Sequence, residues 1–250
     1  MSKKLLLRAD DLGYSEAVNY GIEKSVKEGL IRSLGVMVNM PATEHGVNLI
    51  KDCDIALGVH TNICAERPLT DPRLIPSLVD DNGYFKSSRT YREAKEDFVV
   101  FEEVILEIEA QYHRFVELFG RKPDYFEGHA VASQNFFKGL EHVANKFGLK
   151  YSPFSMGGEP VTIGHSQVTF TMDSMLPDYD PLVMLEKIVA LAGDDVVQLA
   201  VFHPGYLDHY LLTHSTLLNE RCLEVEILTD PRVKEWLVEQ DVILMDYRQL

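Results

Sequence analysis

The chain has 250 residues, 46% hydrophobic and 25% charged, a composition ordinary for a soluble globular protein with a large core. Its formal net charge of -15 argues against nucleic acid or an anionic membrane surface as partner, since Lys and Arg hold both. Three widely spaced cysteines, Cys53, Cys64 and Cys222, suggest neither a disulfide framework nor a zinc knuckle. The first apolar run is too short for a signal-peptide core or a membrane span, so a cytoplasmic location is expected.

Residues 4–9 (KLLLRA) read as a buried strand that runs into two adjacent acids, Asp10 and Asp11. Gly13 suits a turn and Ser15 a helix cap, opening a helix over 16–28 with Ala17, Tyr20, Ile22 and Val26 available for its inner side. Strands follow at 33–39 (SLGVMVN) and 55–62 (IALGVHTN), with a short helix at 43–51 between them. Pro68, Pro72, Pro76, Asn82 and Gly83 mark a long loop from 64 to 89, a feature often tied to function. The spacing of Phe98, Phe101, Ile105, Ile108, Tyr112, Phe115 and Leu118 predicts one helix over 92–119, stopped by Gly120.

A short strand at 125–127, a helix over 136–147 closed by Gly148, and a strand at 149–152 come next. Residues 153–180 are rich in Gly, Pro, Ser and Thr, with one strand expected at 167–171. A helix over 182–192 leads to the strongly apolar strand 196–202 (VVQLAVF) and a polar loop from His203 to about Thr213. Helices at 216–227 and 231–240 and a strand at 242–245 complete the pattern. Strands without polar alternation, separated by helices and short connections, predict an α/β fold of mainly parallel strands in a single domain spanning 1–250.

The ends of these strands carry the polar residues. The first ends in Asp10-Asp11, the third carries His60, the fourth ends at Glu127-Gly128-His129, and VVQLAVF ends at His203. Each alone has a structural explanation, as a turn former, a helix cap or a satisfied core histidine. Four such ends are another matter, because parallel strands gather their carboxyl ends on one rim, where ligands bind. Two imidazoles and a carboxylate suit Zn, Fe, Co, Mn or Ni, with positions left open for water and substrate. A second carboxylate could act as general base and a further histidine could protonate a leaving group. Adjacent strand residues face opposite ways, so Asp10 and Asp11 should differ in role unless the strand bends.

With these residues in order, the chain resembles the YdjC-like carbohydrate deacetylases, which include chitooligosaccharide deacetylases. The resemblance runs from ADDLGYSEAVNYGI through GVHTNI and QYHRFVELFGRKPDYFEGH to FHPGY and RCLEVEILTDPRVKEWL. It implies a distorted β/α barrel and one divalent metal ion, Mg, Zn or similar, bound by Asp11, His60 and His129. Asp10 would then be the general base and His203 the general acid, by likeness to polysaccharide deacetylases, with no organic cofactor. The implied reaction removes an N-acetyl group from an amino sugar or a short chitooligosaccharide, with or without a phosphate, as in chitin breakdown. The partner is a small carbohydrate, neither nucleic acid nor membrane, and self-association as a homodimer is left open. Two departures stand out. The family's usual aspartate–serine–histidine–x–histidine–x–histidine string reads EGHAVASQNF here, keeping only His129 of its histidines, and the arginine usual near the next strand is absent from LKYSPF.

Two other readings compete: a metal-dependent phosphoester hydrolase, and a sugar-binding protein with a relict site. Two-metal phosphatases generally use more carboxylates and histidines than this rim offers, whereas the thinned histidine string favours the relict. In the loop 64–90, Tyr84, Phe85 and Arg89 suit a substrate wall, and Arg67, Lys86 and Arg89 suit a sugar phosphate. His209 and His214 are further candidates for contact with substrate.

Overall fold

The computed structural model describes residues 2–153, 155 and 158–250. Of the stretch LKYSPF discussed above, Phe154 lies outside the described residues. In chain order the elements are β1 (Lys3–Leu12), α1 (Glu16–Lys27), β2 (Ser33–Val36), α2 (Thr43–Ile50), β3 (Ala56–Thr61), α3 (Ser88–Glu93) and α4 (Phe101–Phe119). They continue with β4 (Tyr125–Gly128), α5 (Gln134–Phe147), β5 (Lys150–Tyr151), β6 (Val161–Ile163), β7 (Ser166–Thr171), α6 (Pro181–Leu191) and β8 (Val196–Phe202). The last are α7 (His209–His214), α8 (Asn219–Thr229), α9 (Pro231–Glu239) and β9 (Val242–Met245), and one-turn 3-10 helices lie at Pro72–Leu74 and Tyr247–Gln249.

The strands form one sheet in the order β5-β4-β3-β2-β1-β8-β7-β6, with β9 also paired to β1. Among the described residues, the β6–β7 hairpin is the only antiparallel pairing between these strands. This is the expected distorted barrel, nearly closed and predominantly parallel.

Strand alternation sorts the core into two layers. Leu5, Leu7, Ala9, Leu34, Leu57, Val59 and Phe126 pack outward among the helices. Leu6, Ala56, Tyr125, Val168, Leu199 and Tyr247 fill the interior. Carried two residues at a time toward the strand ends, the interior face passes through Arg8 and Asp10 on β1, Gly35 on β2, His60 on β3 and Glu127 on β4. The barrel is thus apolar at its base and charged near its upper rim.

Several elements depart from the sequence reading. The helix expected over 92–119 is two helices, because residues 94–100 leave the helical path and are held by tertiary hydrogen bonds. Asp97 accepts from Ser133 Oγ and the Asn135 N–H, Asn135 Nδ2 donates to Val99 O, and the Val100 N–H donates to Ser77 Oγ. The polar loop after His203 contains α7, capped by Asp208 accepting from the Leu211 N–H. Tyr20, expected on the inner side of α1, is 47% exposed and meets His45 edge-on.

Candidate active site

The first strand does not stop before the acid pair; β1 runs through Asp10 and Asp11 to Leu12. Its register with β2 shifts between Ala9 and Leu12, and Asp11 adopts φ 75°, the left-handed region that few side chains other than Asn and Asp enter readily. This is the bend that alternation required. Without it Asp11 would face the helices; with it both carboxylates reach the same imidazole. Asp10 Oδ2 lies 4.0 Å from His60 Nδ1, and Asp11 Oδ1 lies 3.2 Å from His60 Nε2. The turn that follows is as expected, with Gly13 at φ 104° and Ser15 Oγ accepting from the Val18 N–H to cap α1.

Three donor atoms converge on one point. His60 Nε2 and His129 Nδ1 are 2.8 Å apart, and Asp11 Oδ1 is 3.2 Å and 3.3 Å from them. Asp11 Oδ1 is buried without a hydrogen-bond partner, an orphaned acceptor aimed at two imidazole nitrogens. Two imidazoles and a carboxylate are a normal donor set for a divalent transition metal, so these residues fit a cation. Asp11 and His60 are deeply buried, while the His129 side chain is 15% exposed and forms the open side.

Supporting contacts set the orientation of each ligand. Glu127 Oε1 sits 2.5 Å from His60 Nδ1, and a carboxylate there accepts from Nδ1–H, which leaves Nε2 to face the triad. Arg221 of α8 donates from Nη2 to Asp11 Oδ2 at 2.7 Å and from Nη1 to His203 O at 3.3 Å. Burial alone would raise the Asp11 carboxyl, but the Arg221 guanidinium and the two imidazoles hold it well below the usual carboxylate range. Burial also opposes charge on the rings. Even so, Glu127 and Asp10 lift His60 well above an ordinary histidine, and Asp11 and Cys64 lift His129 to about 9.

His203 continues β8 onto the same rim but does not touch the triad. Its Nδ1 is 3.3 Å from Ser174 Oγ, and its backbone N–H donates to Glu224 Oε2, whose other oxygen accepts from Tyr179 OH at 2.8 Å. Burial pushes the His203 ring down to about 4, so it rests neutral. The turn beyond it docks tightly on α1: a Cβ on Gly21 would lie 2.5 Å from the Gly205 Cα.

Glu224 is also buried, and burial pushes its carboxyl up to about 8. A carboxyl whose folded value is raised contributes stability fully below its unfolded value, near 4.3, and loses it as pH climbs through about 8. Glu224→Gln is therefore expected to flatten the decline of Tm between those limits. Thermal melts of both chains across pH check this, and parallel curves would contradict it.

Gly35 is the cradle beneath the charged rim. A Cβ there would lie 2.7 Å from Glu127 Oε1, 2.9 Å from Asp10 Oδ1 and 3.1 Å from His60 Cβ. Gly35→Ala is expected to displace these groups, at a cost of about 1–3 kcal/mol of stability from overpacking. Denaturant unfolding measures it; an unchanged midpoint would show that the rim yields freely.

The structure brings together Asp10, Asp11, His60 and His129 and sets His203 beside them through Arg221. The peripheral candidates fare less evenly. Phe85 is buried in the core, Arg89 pairs with Glu93, and Lys86 donates to Ser77 O. Tyr84 lies under Arg67, whose guanidinium is 4.0 Å from the ring centroid. His214 stacks on Tyr210 at 4.2 Å, Tyr210 meets Tyr14 edge-on, and Tyr210 OH donates to Glu66 Oε1. Sequence reasoning missed Arg8, Arg221 and Glu224. Arg8 was visible as a charge inside LLLRADD; the inward turn of Arg221 and Glu224 on α8 had no such signal. All three cysteines are free, and among the described residues no helix is long and apolar enough to cross a membrane.

Known proteins resemble this chain along its whole length. Carbohydrate deacetylase 2 of Listeria innocua serovar 6a is 32% identical, the match covering 99% of this chain and 98% of the relative. A carbohydrate deacetylase of Geobacillus stearothermophilus is 31% identical over 100% of this chain and 98% of its own length. Among solved structures, a candidate cellobiose-phosphate cleavage protein from Enterococcus faecalis V583 superposes with a TM-score of 0.83 at 26% identity, covering 100% of this chain and 99% of that one. Residues 4–239 match the profile described as YdjC-like protein, so the chain belongs to the YdjC-like family.

Proposed function

We propose that this protein is a carbohydrate deacetylase that hydrolyses the N-acetyl group of an amino sugar or short chitooligosaccharide, with one divalent cation held by Asp11, His60 and His129. The observation that carries this reading is the convergence of the Asp11, His60 and His129 donor atoms beside a second carboxylate, Asp10, in a chain whose relatives bear the deacetylase name. Bound there, a divalent cation supplies Lewis-acid polarisation of the acyl group and lowers the pKa of water.

The chain's own residues supply the rest. Asp10 takes the proton of the attacking water at a carboxylate oxygen. Arg221 holds Asp11, and Glu127 holds His60 in the tautomer that presents Nε2. His203, neutral at rest, takes up a proton from solvent once negative charge has developed on the substrate; the resulting imidazolium gives that proton to the amine nitrogen as the C–N bond breaks, and Asp10 returns the water's proton to solvent. Tyr14, whose ring centroid is 6.4 Å from that of His129, walls the open side of the triad.

The test is acetate release from N-acetylated oligosaccharides and their phosphate esters, before and after chelation. Acetate release that stops with the chelator and returns with Zn2+ or Mg2+ is expected. Release of phosphate without acetate would support the phosphoester reading. Metal uptake without any hydrolysis would support a relict site.

A further inference from the structure

The proposed chemistry leaves the burial of Arg8 unexplained. A guanidinium is expensive to desolvate, yet Arg8 sits inside the barrel at 6% exposure. Toward the rim, its Nη2 donates to Asp10 Oδ2 at 2.8 Å and its Nε lies 2.7 Å from Asp10 Oδ1, an ion-pair contact without hydrogen-bond geometry. Nη2 is also 3.6 Å from Glu127 Oε2. Toward the base, Nη1 donates to the Tyr247 hydroxyl at 3.0 Å, and that hydroxyl is 2.8 Å from Ser152 Oγ.

Tyr247 is itself firmly held. Its ring stacks on Tyr125 at 3.7 Å, its backbone N–H donates to Ser33 Oγ at 3.2 Å, and its turn is fixed by a capping box between Asp246 and Gln249. A column of polar contacts therefore runs from the turn at Tyr247–Gln249, through Arg8, to the acid beside the metal ligands. Asp10, His60 and Glu127 also gather a second set of donor atoms within 4.8 Å of one another. The Arg8 guanidinium supplies the positive charge there, and its planar fork constrains the rotation of a carboxylate as a spherical ion does not.

We propose that Arg8, braced by Tyr247, is the positioning residue for Asp10: it fixes the carboxylate's orientation toward the attacking water and takes the place of a second cation. This rests on the reading of Asp10 as the base. Displacing a reacting group by an ångström costs on the order of 100-fold in rate, and that is the loss expected in kcat for Arg8→Gln. KM and the single equivalent of bound Zn2+ should be unchanged. Arg8→Lys restores charge without the fork and should fall between. Tyr247→Phe keeps the stack on Tyr125 and loses only the hydroxyl; a loss of roughly tenfold in kcat is expected, with an unchanged circular dichroism spectrum.

The experiment measures kcat, KM and zinc content for these variants with Asp10→Asn alongside. Wild-type kcat in folded Arg8→Lys or Tyr247→Phe overturns the proposal, and so does a rate loss accompanied by loss of zinc. If Arg8→Gln does not fold, the other two variants decide. A normal rate in Asp10→Asn would instead remove the base reading. An inactive Asp10→Asn beside fully active Arg8 and Tyr247 variants would remove only the positioning role.

Discussion

Asp10→Asn is expected to lower kcat by about 10²–10⁴-fold, the usual contribution of a positioned general base, while the protein still binds one divalent ion. The amide is nearly isosteric and stays within reach of Arg8, so the fold should survive. Asp10 lies 4.0 Å from His60 Nδ1, the nitrogen turned toward Glu127, and therefore is not needed to complete the set formed by Asp11, His60 Nε2 and His129 Nδ1. Asp11→Asn should behave differently. It weakens a carboxylate that Arg221 and two imidazoles all face, so metal is lost together with rate. Parallel measurement of kcat and metal content separates the two acids. If Asp10→Asn turns over normally, Asp10 is not the base; if it loses metal and Asp11→Asn keeps it, the two roles are reversed.

The distinction between the acids also shows where sequence reasoning stops. The strands were legible because β/α periodicity and continuous apolar runs are local. The strands 196–202 and 242–245 match β8 and β9 residue for residue. The rim residues were legible because each lies at or just beyond the carboxyl end of an apolar strand, and parallel strands bring such positions together. The left-handed backbone at Asp11 was not, since alternation alone sends adjacent side chains to opposite faces. Nor was the break between α3 and α4, which depends on Asp97 meeting Ser133 and Asn135 from a distant segment. Arg221 and Glu224 escaped for the same reason. Both lie on a helix whose apolar residues mark no clear inner face, and their burial follows from α8 packing against α1, α6 and the turn at His203.

His129→Ala is expected to lower metal affinity more than about 100-fold, beyond the effect of losing a supporting contact, and to remove activity with it. His129 is the ligand on the open side of the triad, so its truncation leaves less of a core cavity than truncation of buried His60 would. The intact site carries a second signature. In the metal-free protein both rings are raised, His129 to about 9, and their facing nitrogens lie 2.8 Å apart with one donating to the other, so at neutral pH uptake of a cation must displace the proton held between them. The sign follows directly: apparent affinity rises with pH, by about tenfold per unit for each proton displaced, and levels off once both rings are neutral. Calorimetric titration with Zn2+ in two buffers of different ionisation enthalpy counts the protons. No proton released on binding, or an affinity independent of pH, would mean that the imidazoles are not the ligands and that the carboxylates hold the ion without them.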